Sequence, residues 1–355
     1  MMHRLVVVAC SLALALAACG PQNEPASRST STAARAVVIN TAKLAKGPAP
    51  KVAWVDARGV HSGSTIIPLT GDEASDVAIL GNGLVVVAQL PSGDAEVQVR
   101  DATGATTAHF THGVGRLVTN QERNIVAWSD QGGVIWVLQK GHDQPLDLTH
   151  PSHGLPVNPV AITGHDCFRG PEEVEGGGCS VYFTRYAQEG RGTAMVASSH
   201  GFSDKASDQI TELNDVSPAG ALLGLVNPMS HKLCYRFESE KKTYGGCDLV
   251  PASFSPDARR FLAYPALITE GPTTDEITVR NAATGKAQLT VRSPKGSSTI
   301  WAATWEDSSH VLLVIAQDET PWAIVRVGLD GKAEVARRSG PESSDHVSNV
   351  FSVQP

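Results

Sequence analysis

Short apolar runs recur along the chain, separated by turn-forming residues. They are rich in β-branched and aromatic residues, as is typical of strands between turns. Seven runs are prominent, at residues 52–55, 84–88, 125–128, 181–184, 221–225, 261–264 and 311–315. After the N-terminal segment, no stretch has the periodicity of a long amphipathic helix. The pattern predicts an all-β fold.

The spacing of these runs indicates a repeat. Successive runs lie roughly 40 residues apart, which is room for four short strands and is typical of β-propellers. Two longer intervals contain insertions, at residues 167–179 and 268–275. We therefore predict a β-propeller of seven blades, each with four antiparallel strands, over residues 36–355.

The two ends of this region complement each other. Residues 51–70 contain only the later strands of a blade, and residues 347–353 form an extra terminal strand without a blade of its own. Pairing that C-terminal strand into the first blade would close the ring. It would also cover an exposed sheet edge.

A second landmark supports the repeat. An alternating strand enters a tight turn at residues 97–104, 277–286 and 325–332. Ser255-Pro256-Asp257 precedes another apolar strand. This combination resembles the WD40-like, TolB-type propeller repeats of secreted bacterial proteins. The resemblance is clearest at residues 254–290 and weakest at 155–250, and the Trp-Asp dipeptide of eukaryotic WD40 repeats does not occur.

The N-terminus has the features of an export signal. Arg4 precedes an uncharged apolar stretch, residues 5–18, that is too short to span a membrane but suits a signal peptide. Leu16-Ala17-Ala18-Cys19 resembles the lipobox of bacterial lipoproteins. The resemblance implies cleavage before Cys19 and lipid on its thiol; an ordinary secretory signal is the alternative. More than one acyl chain gives stable anchoring.

The predicted organisation has three parts. Residues 1–18 are a lipoprotein signal peptide, and residues 19–35 are a lipidated, flexible tether. That tether is rich in Pro, Ser, Thr and Ala and lacks large apolar residues. Residues 36–355 are the propeller. We expect the protein to be extracytoplasmic and attached to a bacterial membrane.

Four cysteines remain once Cys10 leaves with the signal and Cys19 takes lipid. An even number in an oxidising compartment indicates two disulfides. Three pairings of the four are open, and pairing each cysteine with its neighbour closes the shortest loops; the four are Cys167, Cys179, Cys234 and Cys247. A zinc ion held by the four thiolates is the alternative, although structural zinc sites favour cysteines two to four residues apart.

Candidate chemistry is sparse. Short sequence signatures of hydrolases, metalloproteases, P-loops and Rossmann folds do not occur. We predict no catalytic, cofactor-binding or metal-binding residues. The weaker alternatives are metal sites at His109 and His112, at His150 and His153, at His165-Asp166, or in the Glu172–Glu175 acidic run.

Two other features have a structural interpretation. The segment from Ser129 to Trp136 faintly resembles an Asp-box of sialidase-type propellers, and we interpret it as a hairpin. The tryptophans are expected to pack between blades; they are Trp54, Trp128, Trp136, Trp301, Trp305 and Trp322.

Three functions compete. The favoured one is a lipid-anchored, monomeric, non-catalytic propeller that binds protein, peptide or glycan on a rim or in the channel. The second is an enzyme, a glycan hydrolase or lyase, with polar residues from several blades meeting in the channel. The third is a TolB-like envelope role, which the missing N-terminal domain of TolB argues against. The formal net charge of -7 argues against non-specific nucleic-acid binding.

Overall fold

The computed structural model describes the propeller region with gaps. The described residues are 34–56, 58–69, 73–90, 92, 94–111, 116–148, 155–168, 178–187, 191–199, 201, 203–226, 233–266, 274–294, 298–317, 320–339 and 351. The predicted signal peptide and Cys19 lie outside them. Within these ranges no helix has the length and hydropathy of a membrane span.

The described elements are almost all strands. The first strand is β1 (Arg35–Val38), and a single turn of 3₁₀ helix follows at Thr41–Lys43. Blade 1 has three strands: β2 (Trp54–Asp56), β3 (Gly59–Ser62) and β4 (Thr65–Ile67). Blade 2 has β5 (Glu73–Leu80), β6 (Gly83–Gln89), β7 (Ala95–Arg100) and β8 (Thr106–Phe110). Blade 3 has β9 (Val118–Thr119), β10 (Ile125–Ser129), β11 (Ile135–Gln139) and β12 (Leu146–Asp147).

The remaining four blades follow in the same order along the chain. Blade 4 has β13 (Val157–Gly164), β14 (Cys179–Tyr186), β15 (Gly192–Ser198) and β16 (Ser203–Lys205). Blade 5 has β17 (Glu212–Val216), β18 (Leu222–Leu225), β19 (Tyr235–Glu238) and β20 (Thr243–Gly246). Blade 6 has β21 (Leu249–Phe254), β22 (Arg260–Pro265), β23 (Glu276–Asn281) and β24 (Ala287–Arg292). Blade 7 has β25 (Ser298–Asp307), β26 (His310–Gln317), β27 (Thr320–Gly328) and β28 (Ala333–Arg338).

The predicted all-β, seven-bladed fold is confirmed. Blades 2 to 7 are antiparallel sheets whose strands pair in chain order. The seven apolar runs correspond to β2, β6, β10, β14, β18, β22 and β26. In blades 2 to 7 these are the second strands, and all five residues of β10 and all four of β18 are buried. A strand buried on both faces gives a continuous apolar run, which explains why the sequence pattern identifies these strands more clearly than the others.

Seven apolar clusters close the ring, one between each pair of consecutive blades. The cluster between blades 7 and 1 contains Trp54, Leu312 and Trp322. Phe351 packs against that cluster. The rest of the predicted closing strand, residues 347–353, lies outside the described residues. The inner strands β5, β9, β13, β17, β21 and β25 contact one another around the centre.

An N-terminal strap adds to two blades in a way that the sequence did not predict. We define it as residues 34–51. β1 pairs in parallel with β24, so blade 6 has five strands instead of the expected four. Further along, the Gly47 N–H donates to the Val335 carbonyl of β28 at 2.9 Å. The strap thus runs over the outer strands of blades 6 and 7 before the chain enters blade 1.

Both local disulfides are present. Cys167–Cys179 links the loop after β13 to the start of β14, within the cluster between blades 3 and 4. Cys234–Cys247 spans the β19–β20 hairpin of blade 5. The zinc alternative is therefore wrong, because all four sulfurs are in disulfides.

Candidate functional site

A pocket lies where the strap, blade 7 and blade 1 meet. Its volume is about 640 Å³, within the range of small-molecule and peptide side-chain pockets. We call it the basic pocket, because its charged side chains are all basic. The lining residues are Leu44, Lys46, Gly47, Ala49, Trp54, Arg58, His61, Gly63, Ser64, Ile66, Val335, Ala336, Arg337 and Arg338.

The β2–β3 hairpin builds one wall of this pocket. Trp54 lies opposite His61 in the register of the two strands. Their rings stack with centroids 3.8 Å apart and planes 7° apart. Gly59, with a φ of +134°, allows the tight turn, and a Cβ there would collide with the Ile67 carbonyl. The hairpin therefore fixes the position of an aromatic pair.

Asp56 neutralises part of the charge behind this wall. Its Oδ1 lies 2.8 Å from His61 Nε2, and its Oδ2 lies 3.1 Å from Arg58 Nη2. Burial opposes its ionisation, but the contacts with His61 and Arg58 outweigh burial and hold the pKa of Asp56 below its ordinary value. Asp56 is therefore charged and already paired with His61 and Arg58, and it does not line the pocket.

The opposite wall comes from β28. The Arg337 guanidinium carbon lies 5.4 Å from the centroid of the Trp54 ring, a cation–π contact. Arg337 Nε is buried and has no hydrogen-bond partner among the described residues. Arg338 donates from Nη2 to the Thr41 carbonyl at 2.8 Å. Lys46, from the strap, forms no ion pair within the described part of the chain.

A buried ionic network holds the strap at the edge of the pocket. Arg326, whose side chain is 6% exposed, donates to both carboxylate oxygens of Glu306. It also donates to Glu334 at 2.6 Å, and to the carbonyls of Pro48 at 3.1 Å and Ala49 at 3.0 Å. One side chain thus connects β25, β27, β28 and the strap.

Charges within this network stabilise one another. Burial raises the pKa of Glu306, but its hydrogen bonds with Arg326 and with the Lys51 N–H more than offset burial and lower the pKa overall. The bonds to Glu306 and Glu334 raise the pKa of Arg326. Glu306 and Arg326 are therefore both charged at neutral pH.

Two aspartates occupy equivalent places on the inner strands. Asp76 in β5 and Asp215 in β17 each follow a β-bulge. Asp76 accepts the N–H of Val77 at 2.9 Å and that of Leu117, next to blade 3, at 2.7 Å.

Asp215 makes the same contacts three junctions further round the ring, between blades 5 and 6. It accepts the N–H of Val216 at 2.8 Å and that of Phe254, in blade 6, at 2.6 Å. Each carboxylate thus links its blade to the next one, and both of its oxygens are bound to main-chain N–H groups.

Burial dominates the ionisation of both carboxylates. It raises the pKa of Asp76 to about 6 and that of Asp215 to about 7, although the backbone hydrogen bonds and the charge of Arg116 act in the opposite direction. Arg116, which is exposed, acts on both carboxylates.

Sequence reasoning missed the basic pocket, Arg326 and the paired aspartates. For the aspartates a signal existed, because Glu73-Ala-Ser-Asp76-Val and Glu212-Leu-Asn-Asp215-Val share one pattern. For the pocket no local signal existed, because its residues come from two segments far apart in the chain, 44–66 and 335–338.

Other sequence-based candidates have structural roles. Asp130 accepts the N–H of Val134 and the indole N–H of Trp136, both at 2.9 Å, which confirms the predicted hairpin. Asp166 accepts the Phe168 N–H at 3.1 Å, capping the disulfide loop.

Most of the histidine and glutamate candidates lie outside the described residues. His109 lies on β8, and its suggested partner His112 is outside the described residues. His150, His153 and the Glu172–Glu175 run are also outside them, as is Cys19. The tryptophans belong to clusters between neighbouring blades, as expected.

One group of potential ion ligands occurs among the described residues: Glu306, Asp307 and His310. Glu306 is committed to Arg326. Asp307 accepts the Ser309 N–H at 2.8 Å and contacts His310 Nδ1 at 3.0 Å. Three or more buried carboxylates or histidines clustered in the channel would favour the enzyme alternative. Among the described residues, the one group close enough to share an ion lies at the β25–β26 turn.

Comparisons with known proteins agree on the fold. No protein-family model and no curated protein matches the chain. The structure of YCF48 bound to D1 peptide is similar, with a TM-score of 0.50 and 11% identity over 82% of this chain and 87% of that one. A putative TolB from Agrobacterium tumefaciens gives a TM-score of 0.43 and 10% identity over 66% of this chain and 83% of that one.

The β-propeller domain of Cps50 (Swd1) from Myceliophteria thermophila gives a TM-score of 0.48 and 8% identity, over 78% of this chain and 89% of that one. At these identities the likeness concerns the fold alone. The seven sheets and the seven clusters between them, together with the likeness to YCF48, identify the chain as a seven-bladed β-propeller.

Proposed function

We propose that this protein is a lipid-anchored, extracytoplasmic binding scaffold without catalytic activity, and that it takes a protein, peptide or glycan partner at the basic pocket. The pocket carries the proposal. It is concave, built on rigid strands, and lined by basic side chains on a chain whose net charge is -7. The lipobox-like sequence ending at Cys19 supports the membrane attachment, and two disulfides suit an oxidising compartment.

Attachment is tested separately from binding. The full chain, expressed in a bacterial host with an alkyne fatty acid, is expected to incorporate label and to sediment with membranes. Cys19→Ala is expected to lose both the label and the sedimentation. Labelling that persists in this variant, or sedimentation that does not change, would refute the anchor.

Binding at the pocket is tested by photo-crosslinking in the native envelope. Ser64, exposed at the pocket, is replaced by p-benzoylphenylalanine, with Lys241 on blade 5 as the matched exposed control. A discrete adduct is expected at position 64 only, and Arg337→Gln should remove it. Equal adducts at both positions, or an adduct insensitive to Arg337→Gln, would contradict the proposed site.

A further inference from the structure

The charge of the basic pocket is one-sided. Its lining contains Lys46, Arg58, Arg337 and Arg338, and no carboxylate. Two acidic groups lie next to the lining, and both have basic partners. Asp56 contacts Arg58 and His61, and Glu334, beside Gly47, binds Arg326. A concave surface of one charge sign attracts ligands of the other sign. The site therefore favours an anion.

Two of the cations are available for a ligand. Arg337 lines the pocket, is only partly buried and has no ion pair among the described residues, and Lys46 has none there either. Both side chains can therefore contact an anionic ligand without first breaking an ion pair. The planar guanidinium matches carboxylate and phosphate groups. The contact with Trp54 holds it in place beforehand.

The aromatic ring itself is not available for stacking. Trp54 is 5% exposed, and its ring already contacts His61 and Arg337. Recognition through a stacked sugar or base is thus disfavoured. The features of the pocket that can recognise a ligand are therefore its positive charge and the apolar surface of Leu44 and Ile66.

The strap shows how an extended chain binds to this ring. It pairs with the outer strand of blade 6 through β1 and bonds the outer strand of blade 7 through Gly47 and Val335. In the next blade, the outer strand is β4, and no described strand pairs with its outer side. Ile66 of β4 is 40% exposed at the pocket. An unpaired edge of this kind can accept an extended peptide.

We propose that the basic pocket binds an extended acidic peptide segment. The peptide backbone lies along β4, and its carboxylates contact Arg337 and Lys46. This inference rests on the proposed function, because it specifies the ligand class of the same pocket.

The test uses calorimetric titration with a defined probe. An acetylated, amidated hexapeptide with two glutamates flanking a valine is titrated into the folded, full propeller, and its glutamine counterpart serves as the matched peptide. The glutamate peptide should bind about tenfold more tightly, since charge-assisted hydrogen bonds are about twice as strong as neutral ones. Its affinity should fall as salt screens the exposed charges.

Variants assign the effect to the pocket. Arg337→Gln and Lys46→Gln should each weaken binding of the glutamate peptide by about tenfold, a loss of about 1.4 kcal/mol. Lys241→Gln should leave it unchanged. If Arg337→Gln disturbs folding, Arg337→Lys provides the second variant: it keeps the charge and should lie between wild type and the glutamine variant. Equal binding of both peptides, or of all variants, overturns the proposal.

Two further probes separate the alternatives. Inorganic phosphate and phosphatidylglycerol vesicles are tested against the same variants. Pocket-dependent binding of either, with no binding of the glutamate peptide, overturns the peptide proposal in favour of a phosphate ligand. If no probe binds while the adduct at position 64 persists, only the ligand class is wrong. Loss of the adduct as well refutes the proposed function.

Discussion

The junction between blades 7 and 1 differs from the junction between blades 5 and 6. Between blades 5 and 6, one buried carboxylate, Asp215, accepts a main-chain N–H from the next blade. Between blades 7 and 1, the strap adds main-chain bonds, and Arg326 joins four segments through ionic contacts and hydrogen bonds to carbonyls. Residues far apart in sequence meet at this junction between blades 7 and 1. Closing a loop that long costs conformational entropy, and the additional contacts offset that cost.

The same junction also contains the basic pocket. The strap contributes Lys46, Gly47 and Ala49 to the lining, and Arg326 bonds the carbonyl of Ala49. A side chain at position 47 would displace the Glu334 carboxylate, which binds Arg326. The contacts that close the ring thus also fix the shape of the proposed binding site. A mutation that weakens binding without destabilising the fold should therefore lie at a pocket residue that makes none of these closing contacts.

The largest effect is expected at Arg326. Replacing it by methionine leaves Glu306, whose side chain is fully buried, without its partner. Removing one member of a buried pair costs about 3–5 kcal/mol, measured as the free energy of unfolding in urea. The exposed pair Arg292–Glu276 provides the control, because Arg292→Met should cost at most about 1 kcal/mol.

A double variant shows where the effect originates. Adding Glu306→Leu to Arg326→Met should recover much of the lost stability, because the uncompensated charge is gone. A double variant as unstable as the single one would mean that the bonds to Pro48 and Ala49, rather than the ion pair, stabilise the junction.

The next effect separates the strap from its neighbours. Ile39 is fully buried in the cluster between blades 6 and 7, whereas Val38 beside it is 65% exposed. Ile39→Ala should cost about 2–5 kcal/mol through lost burial and a cavity. Val38→Ala should change stability by about 0.5 kcal/mol or less. Equal losses in chemical denaturation would show that the strap does not pack as described.

The aspartate junctions should respond to pH in the opposite sense to an ion pair. Burial raises the pKa of Asp215 to about 7 and that of Asp76 to about 6, above the unfolded value of 3.8. The folded state binds these protons more tightly than the unfolded state, so their contribution to the free energy of unfolding is complete below about pH 4. It falls as pH rises through these pKa values, by on the order of 2 kcal/mol between about pH 5 and pH 7.

The difference between two unfolding curves isolates this contribution. Asp215→Asn should flatten the dependence of stability on pH relative to wild type. Asp143→Asn, an exposed control, should leave it unchanged. A wild-type curve that coincides in slope with that of Asp215→Asn would show that this carboxylate does not titrate in the stated window.

The sequence predicted the fold better than the site, for a physical reason. Second strands such as β10 and β18 are buried on both faces, so their apolar runs are visible in one dimension. Strands with exposed or mixed faces, such as β8 and β20, leave weaker patterns. The pocket combines residues near positions 46, 61 and 337, and no local pattern connects them. The two disulfide pairings could be predicted, because the paired cysteines are close to each other in the sequence.

The smallest effect is expected at the outer turns, which blades 2 and 6 build alike. Asn281 accepts the Ala283 N–H at 3.0 Å, as Asp101 accepts the Thr103 N–H at 2.8 Å. Asn281→Ala removes this bond and the one from the Thr284 hydroxyl, and should cost about 1 kcal/mol in thermal unfolding. Asn281→Asp keeps the acceptor and should be nearly neutral. Because the strap covers blade 6 but not blade 2, hydrogen exchange in Asn281→Ala should increase in β24 and also in β1. An increase confined to the turn would mean that the strap and the outer strand of blade 6 open independently.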